Sequence, residues 1–388
     1  MTTYLLVAPV LDSMDANYVT WALPPALGAV LAAVRGGTSG RLRWFAVAGA
    51  SLCWAVLARR QGIFVIVPVA VAAYGGAAPW GRAILAAVAG GVGALLPFEV
   101  HYALRGHPWA FVEGVVFNPW GYAYVSTVTF DPHEALRATA FFLAWPLAVA
   151  LLSLGAGRGP SRPSRRVFGS VAVAYLVAAV AAAWVGGRFY KGYFLMAAPA
   201  ACFVAGIGWD RIAAPGAVRW RRWIAAFVFL LLGGRQAVLW SNVAQERGIV
   251  RDRAQRRLAE RVARTTGPGD RIWCWGWHLW GVYALSGRLS ASRIYKGLGL
   301  LTEPHADTWR TPAPRLVFRD GPAARMLLED FRATPPAVVI LGSTVPHRDF
   351  HDLRRFLRDG YRRDPSVRMG RLEVWVRRPS PQGPSPRP

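Results

Sequence analysis

The stretch LPFEVHYALRGHPWAFVEGVVFNPWGYAYVST, from Leu96 to Thr127, decides how the rest of the chain is interpreted. An apolar segment ends within it, and a long loop begins that is rich in aromatic side chains and poor in charge. Further apolar segments precede and follow this loop. Because a run of about 20 apolar residues is long enough to cross a bilayer, the sequence predicts that the loop lies at a membrane surface.

The composition favours a membrane protein over a soluble one. Of the 388 residues, 54% are hydrophobic and 17% are charged, whereas soluble domains carry about 25% charged residues. The apolar residues are gathered into blocks, which predicts a mainly α-helical, polytopic transmembrane bundle of about nine spans. The spans are predicted at residues 2–11, 18–34, 44–58, 62–75, 83–104, 138–154, 167–185, 192–209 and 223–240. Several are shorter than a perpendicular helix requires, which favours short or tilted helices packed inside the bundle.

The distribution of basic residues predicts the topology. A formal net charge of +25 would indicate nucleic-acid binding in a soluble protein, but here the arginines between apolar spans are explained by topology, and no nucleic-acid partner is predicted. One set of loops holds Arg35, Arg41, Arg43, Arg82, Arg158, Arg162, Arg165, Arg166, Arg211, Arg219, Arg221 and Arg222. The alternate loops hold fewer, namely Arg59, Arg60, Arg105, Arg137, Arg188 and Lys191. The positive-inside rule puts the first set in the cytoplasm, so the loop 105–137 and everything after residue 240 face outward.

The predicted bundle comprises residues 1–240, and both ends of the chain carry further information. The first residues, MTTYLLVAPVL, are too short and lack the basic start of a signal peptide, so we expect the chain to begin inside a larger architecture. Residues 245–378 are charged and periodic, which predicts a small extracytoplasmic α/β domain. Its strands are predicted at 271–276, 337–342 and 371–377, and its helices at 251–265, 323–331 and 352–359. Residues 379–388 should be a disordered tail. The three cysteines predict no disulfide framework.

Two cationic segments on the outer side are candidates for binding phosphate. The turn Arg59-Arg60-Gln61 lies where the positive-inside rule disfavours arginine, and guanidinium groups bind phosphate bidentately. The alternative is an arginine pair that anchors to lipid head groups. The segment GRFYKGYF contains Arg188, Tyr190 and Lys191, which would receive a phosphate or a sugar. The alternative is an interfacial belt, where tyrosine and lysine are common.

Acidic and aromatic residues are candidates for contacts with a sugar or an acceptor. Glu99 lies near the outer end of its span beside His101 and Tyr102, and an ionisable residue at that depth is costly; the alternative is an ion pair with Arg105. In the first outer loop, carboxylates would bind a divalent metal or a sugar, or act as a base; the alternative is a solvated turn. That cluster consists of Asp12, Asp15 and Asn17. Aromatic residues of the long loop, including Tyr122 and Tyr124, would stack on a sugar or lie in the membrane interface.

The tryptophan-rich start of the C-terminal domain has two interpretations. Trp273, Trp275, Trp277, His278 and Trp280 would form a carbohydrate platform or a packed aromatic core, and the core is favoured. No metal site is assigned. The sequence contains no Walker A motif, no Rossmann glycine fingerprint, no HExxH motif and no CxxC pair.

Taken in order, these segments resemble the GT-C membrane glycosyltransferases of family 39, the ArnT-like and protein-mannosyltransferase-like group. The resemblance is carried by LDSMDANYVTWALP, LARRQGIFVIVP, NPWGYAYVS, GRFYKGYFLMAAPA and GDRIWCWGWHLWGVYALSGRLSASRI. The family's catalytic acid lies in a first outer loop that has no counterpart in this chain, so its role is not transferred to Asp12 or Asp15. Gly192 stands where the family often has His, and Val19 lies near a position often held by Glu.

The resemblance implies an inverting transfer of a sugar from a polyprenyl-phosphate donor to an acceptor hydroxyl on the outer face of the cell membrane. It implies that Arg59 and Arg60, with Gln61, bind the donor phosphate, and that Arg188 and Lys191 are second choices. Glu99 and Asp15 would contact the sugar or the acceptor, and the main base is expected to lie outside this chain. Two alternatives stay open, namely a non-catalytic or truncated scaffold that binds a lipid-linked sugar, and a transporter of such a lipid. The donor sugar and the acceptor are not specified.

Overall fold

The computed structural model describes most of the chain. The described residues are 18–113, 130–154, 163–185, 187–213, isolated positions between 220 and 241, 248–276, 279–295, 297, 299–303, 310, 315–365 and 372–379. Several predictions fall outside these residues: the span 2–11, the cluster Asp12, Asp15 and Asn17, the loop tyrosines Tyr122 and Tyr124, Trp277, His278, and nearly all of the C-terminal tail.

The chain is mainly helical with one small sheet, and it divides into two compact units. The first unit comprises residues 1–243 with 307–312, and the second comprises 244–306 with 313–388. The helices of the first unit are α1 (Tyr18–Ser39), α2 (Leu42–Ala58), α3 (Ile66–Tyr74), α4 (Trp80–Leu104), α5 (Pro132–Leu154), α6 (Pro163–Trp184) and α7 (Ala197–Ala213). Two 3₁₀ segments, Arg60–Val65 and Lys191–Met196, lead into α3 and α7, and a single turn spans Ala110–Val112.

Small residues set the spacing of these helices. A Cβ atom added to Gly49 of α2 would lie 1.7 Å from the carbonyl oxygen of Ala87 in α4. A Cβ added to Gly90 would lie 1.9 Å from the carbonyl oxygen of Ala46. The backbones of α2 and α4 are therefore in direct contact, which is the packing that glycine permits between helices in membranes.

Two helices among the described residues are long and apolar enough to cross a membrane: Trp80–Leu104, and Arg166–Trp184 within α6. In the first of these helices, only 6% of the most apolar 18-residue stretch is buried within the protein. Large apolar side chains are exposed along the whole length of α4, namely Trp80, Ile84, Leu85, Val88, Val92, Leu96, Val100, Tyr102 and Leu104. An apolar face of this length needs a nonaqueous neighbour. The arrangement of about nine spans stays a prediction, since Leu42–Ala58, Arg60–Tyr74 and Lys191–Ile207 are shorter apolar helices.

Contacts among the described residues join several turns at each end of this unit. At one end, Gly37 of α1 accepts a hydrogen bond from Ala77 N (2.7 Å), and a Cβ added to Gly37 would lie 3.2 Å from the Val167 side chain at the start of α6. At the other end, Gln61 Nε2 donates to Ala182 O near the end of α6 (3.0 Å). The turns that carry Arg35, Arg41, Arg43, Arg82 and Arg166 therefore share one end. Those that carry Arg59, Arg60, Arg137, Arg188 and Lys191 share the other.

The second unit is a mixed sheet with helices on both faces. The strands are β1 (Arg271–Trp275), β2 (Leu289–Ser290), β3 (Val338–Leu341), β4 (Tyr361–Arg363) and β5 (Glu373–Arg377), in the spatial order β2-β1-β3-β5-β4. β1 is parallel to β2 and β3, whereas β5 is antiparallel to β3 and β4. The helices are α8 (Gly248–Thr265), α9 (Gly281–Ser286), α10 (Pro322–Ala333) and α11 (His351–Gly360).

Alternation along the strands explains the two faces of this sheet. Ile272 and Cys274 of β1 pack in one core with Leu258 and Val262 of α8. On the other face, a second core contains Trp273 and Trp275 together with side chains of α10 and α11. Both tryptophans are fully buried, so the packed-core interpretation is confirmed for them, and neither contributes to a carbohydrate platform.

Candidate functional site

The first candidate site is the turn between α2 and α3. Arg59 ends α2 in an extended conformation, and the chain then enters the 3₁₀ segment Arg60–Val65. The turn is tight, because a Cβ added to Gly62 would lie 2.5 Å from the carbonyl carbon of Ala55. Glycine at this position lets the turn fold back on the last turn of α2. The two arginines consequently occupy different environments: Arg59 is half-buried and Arg60 is exposed.

Arg59 is fixed by residues that are distant in sequence. Its guanidinium carbon lies 4.6 Å from the centre of the Tyr193 ring, within the range of a cation–π contact. Its Nε atom donates to Oε1 of Gln61, and Gln61 Nε2 donates to Ala182 O. The Tyr190 ring meets the Tyr193 ring edge-on, with centroids 5.6 Å apart. The structure therefore brings together two segments that the sequence singled out separately.

The segment that carries Lys191 has a constrained backbone. Gly187 and Phe189 both have positive φ angles, of 67° and 51°. This is unremarkable for glycine but rare for a bulky residue such as phenylalanine. Phe189 is only 1% exposed and contacts Phe130 edge-on, with ring centroids 6.0 Å apart. Burial of this ring holds the strained backbone in place, and such strain accumulates at functional sites.

A hydrogen bond on the same end of the unit was not anticipated from the sequence. Trp184 Nε1 donates to Thr139 Oγ1 at 2.9 Å, and Phe130 lies 6.2 Å from the Trp184 ring. The contact joins the end of α6 to the start of α5, beside the Gln61–Ala182 contact. The sequence signal was a tryptophan at the end of an apolar span, which alone indicates only an interfacial position.

Glu99 lies in a second cluster at the end of α4. Its Oε1 atom accepts a hydrogen bond from the backbone N–H of Trp109 at 2.8 Å. Trp109 has a φ angle of 75° and is exposed, so the carboxylate stabilises an unusual turn. The Oε2 atom is buried and has no hydrogen-bond partner among the described residues. The expected alternative, an ion pair with Arg105, is not found in the part of the chain that the structure describes.

Aromatic rings near this end of α4 pack against one another. Phe111 stacks on Phe98 with ring centroids 5.3 Å apart, and it lies 6.1 Å from Tyr102. His101 is exposed and meets Tyr102 edge-on. Phe98 also contacts Trp54 of α2, with centroids 5.5 Å apart. Because Trp54 and Arg59 lie on the last turns of the same helix, the Glu99 cluster and the Arg59 turn belong to the same end of the first unit.

This end of the unit carries exposed cations and a buried carboxylate oxygen that has no hydrogen-bond partner among the described residues. Exposed Arg60 and Lys191 can bind an anionic oxygen, while the unpartnered Glu99 oxygen can accept a hydrogen bond from a hydroxyl group. The residues described contain no group of three or more His, Cys, Asp or Glu that would hold a metal ion. The predicted carboxylates of the first outer loop lie outside the described residues.

Comparison of the chain with known proteins finds no match. No family model matches the chain, and neither the curated proteins nor the solved structures yield a match.

Proposed function

We propose that the chain is an integral membrane glycosyltransferase of the GT-C type. It would transfer a sugar from a polyprenyl-phosphate donor to an acceptor hydroxyl on the outer face of the cell membrane, inverting the anomeric centre. The proposal rests chiefly on one observation, the convergence of the Arg59 turn with the Tyr190–Tyr193 segment. The apolar, exposed face of α4 supports a position in lipid, and the shared location of the basic turns supports a multi-pass topology.

The proposed reaction has two chemical requirements. The acceptor oxygen forms a bond to the anomeric carbon while the bond from that carbon to the phosphate oxygen breaks, so negative charge develops on the departing phosphate. Arg60 and Lys191 would stabilise this charge, and Arg188 lies in the same segment. The acceptor hydroxyl loses its proton to a base. We assign Glu99 to a hydrogen bond with the sugar or the acceptor, and no base is assigned among the described residues.

Arg59 and Gln61 would act by positioning. The guanidinium of Arg59 lies over Tyr193, and Gln61 links it to α6. This arrangement fixes the turn so that Arg60 projects from it. Removing Arg59 would therefore disturb packing as well as charge, whereas removing exposed Arg60 changes mainly charge.

The proposal predicts that Arg60→Ala weakens binding of the donor phosphate. The probe is polyprenyl monophosphate in nanodiscs that contain the full chain, and polyprenyl-phosphate sugars are then compared with it. A hydrogen bond to a charged group contributes about 1.5–3 kcal/mol, so we expect binding to weaken about tenfold or more. Arg82→Ala is the matched control, because Arg82 is an exposed arginine at the opposite end of the same unit.

Two outcomes would refute parts of the proposal. Equal affinity of the Arg60→Ala variant and the wild type would exclude the turn as the phosphate site. Tight, Arg60-dependent binding without sugar transfer to any of a panel of hydroxyl acceptors would favour the non-catalytic scaffold instead.

A further inference from the structure

We infer that the second unit holds a separate site for a small oxyanion, a phosphate or carboxylate group, bound by Arg348, Arg363 and the imidazole of His347. The inference concerns the second unit alone and does not rest on the proposed function. In open α/β sheets, ligands bind outside the carboxyl ends of parallel strands. The parallel pair β1 and β3 ends at Trp275 and Leu341, and His347 lies in the loop that follows β3.

The imidazole of His347 carries a buried polar atom that lacks a partner among the described residues. His347 is only 4% exposed, and its Nδ1 atom has no hydrogen-bond partner among the described residues. A buried polar group left in this state costs about 1–3 kcal/mol. Burial lowers the pKa of His347, although the nearby Glu373 carboxylate acts in the opposite direction. A neutral imidazole carries one N–H group, and with that proton on Nδ1 a bound oxyanion would accept its hydrogen bond.

The charges that act on this imidazole are mainly positive. Among the described residues, Glu373 is the carboxylate whose charge acts on His347. It is 6% exposed and already engaged, because its Oε2 atom accepts hydrogen bonds from Arg354 Nη1 (2.5 Å) and Trp375 Nε1 (3.0 Å). Arg348 and Arg363 are exposed, and both lie close enough for their charges to act on His347. Positive charge therefore exceeds negative charge at this edge of the sheet, which favours an anionic ligand.

The strand register supplies a matched pair of arginines. On β4, Arg363 lies opposite Trp375, and Arg362 lies opposite Val376. Because successive side chains of a strand point to opposite faces, Arg363 shares the face of Trp375 and Arg362 occupies the other. Both arginines are exposed and adjacent in sequence. A difference between their alanine variants would report position on the sheet rather than net charge.

The test measures phosphate binding to the full chain in nanodiscs by hydrogen exchange and mass spectrometry. Inorganic phosphate and acetate are titrated separately, and potassium chloride of equal ionic strength corrects for screening. We expect slower exchange in residues 342–350 with phosphate, acetate or both, which also identifies the preferred oxyanion. Because phosphate could also bind at the α2–α3 turn, the Arg60→Ala variant is included, and the protection of 342–350 should persist in it.

The variants decide the assignment. Arg363→Ala should raise about tenfold the oxyanion concentration that half-protects residues 342–350. Arg362→Ala should leave this concentration unchanged. His347→Gln should also raise it, and exposed His351→Gln should not. If chloride protects the loop as well as the oxyanions do, or if Arg362→Ala and Arg363→Ala behave alike, the inference is wrong. Should His347→Gln fail to fold, the arginine pair still decides.

Discussion

The contact between α2 and α4 predicts a large effect from a very small substitution. In Gly49→Ala, the new methyl group would lie 1.7 Å from the Ala87 carbonyl oxygen, and real Cβ atoms essentially never approach closer than 3.0 Å. The two backbones would therefore have to separate by roughly 1.3 Å. Overpacking of this kind costs about 1–3 kcal/mol. Alanine gains about 1 kcal/mol of helix propensity over glycine, so we expect a net destabilisation of up to about 2 kcal/mol.

Gly93 of α4 provides the matched control, because a Cβ added there meets nothing within 4 Å. Gly93→Ala should be neutral or slightly stabilising, since it gains propensity without a clash. The assay heats the full chain in nanodiscs and measures alkylation of Cys53, which lies on α2 and is 9% exposed. Buried Cys274 in the second unit serves as an internal reference. If Gly49→Ala and Gly93→Ala label Cys53 at the same temperature, the close contact between α2 and α4 is wrong.

Two further predictions concern the second unit. Its unfolding in urea can be followed by alkylating Cys274 in a brief pulse, which is applied at the same pH to every sample. Burial lowers the pKa of His347 below its ordinary value of 6.5, so the unfolded state binds a proton that the folded state does not, and stability should fall as the pH drops below about 6.5. His347→Gln should flatten this dependence and exposed His351→Gln should not; parallel curves for the wild type and His347→Gln would contradict the assignment. Arg354→Met should lower the free energy of unfolding by about 3 kcal/mol, because it leaves the carboxylate of Glu373 buried without its cation. The added change Glu373→Leu should restore most of this loss. An unchanged urea midpoint in Arg354→Met would show that the ion pair contributes little.

The second unit was the more predictable part of the fold. The strand predicted at 337–342 is β3, and the helices predicted at 251–265, 323–331 and 352–359 are α8, α10 and α11. These segments have strong periodicity and clear boundaries. β2 and β4 were missed because they contain two and three residues, which is too short for alternation to be visible. The pairing of β3 with β5 is a tertiary feature that no local pattern encodes.

The candidate site shows a different limit of sequence reasoning. The turn Arg59-Arg60-Gln61 is a candidate because the positive-inside rule disfavours arginine on the outer side. The Tyr190–Tyr193 segment is a candidate because it combines a cation with aromatic rings. That they meet could not be derived, since Gln61 and Ala182 are 121 residues apart. For Glu99, the sequence leaves two interpretations open, a functional contact or an ion pair with the nearby Arg105. The structure instead directs its Oε1 atom to the Trp109 backbone, since the chain turns back after α4.

Burial separates two arginines that the sequence presents as one cationic turn. Arg59 is held against Tyr193 and linked through Gln61 to α6, so its guanidinium group is already engaged in contacts within the fold. A phosphate that bound Arg59 would have to compete with these contacts, whereas Arg60 is exposed and its binding to an anion breaks none of them. The same tight turn that fixes Arg59 forces the adjacent side chain outward. The electrostatic contribution to donor binding should therefore come mainly from Arg60, and the contribution of Arg59 should appear as stability of the turn.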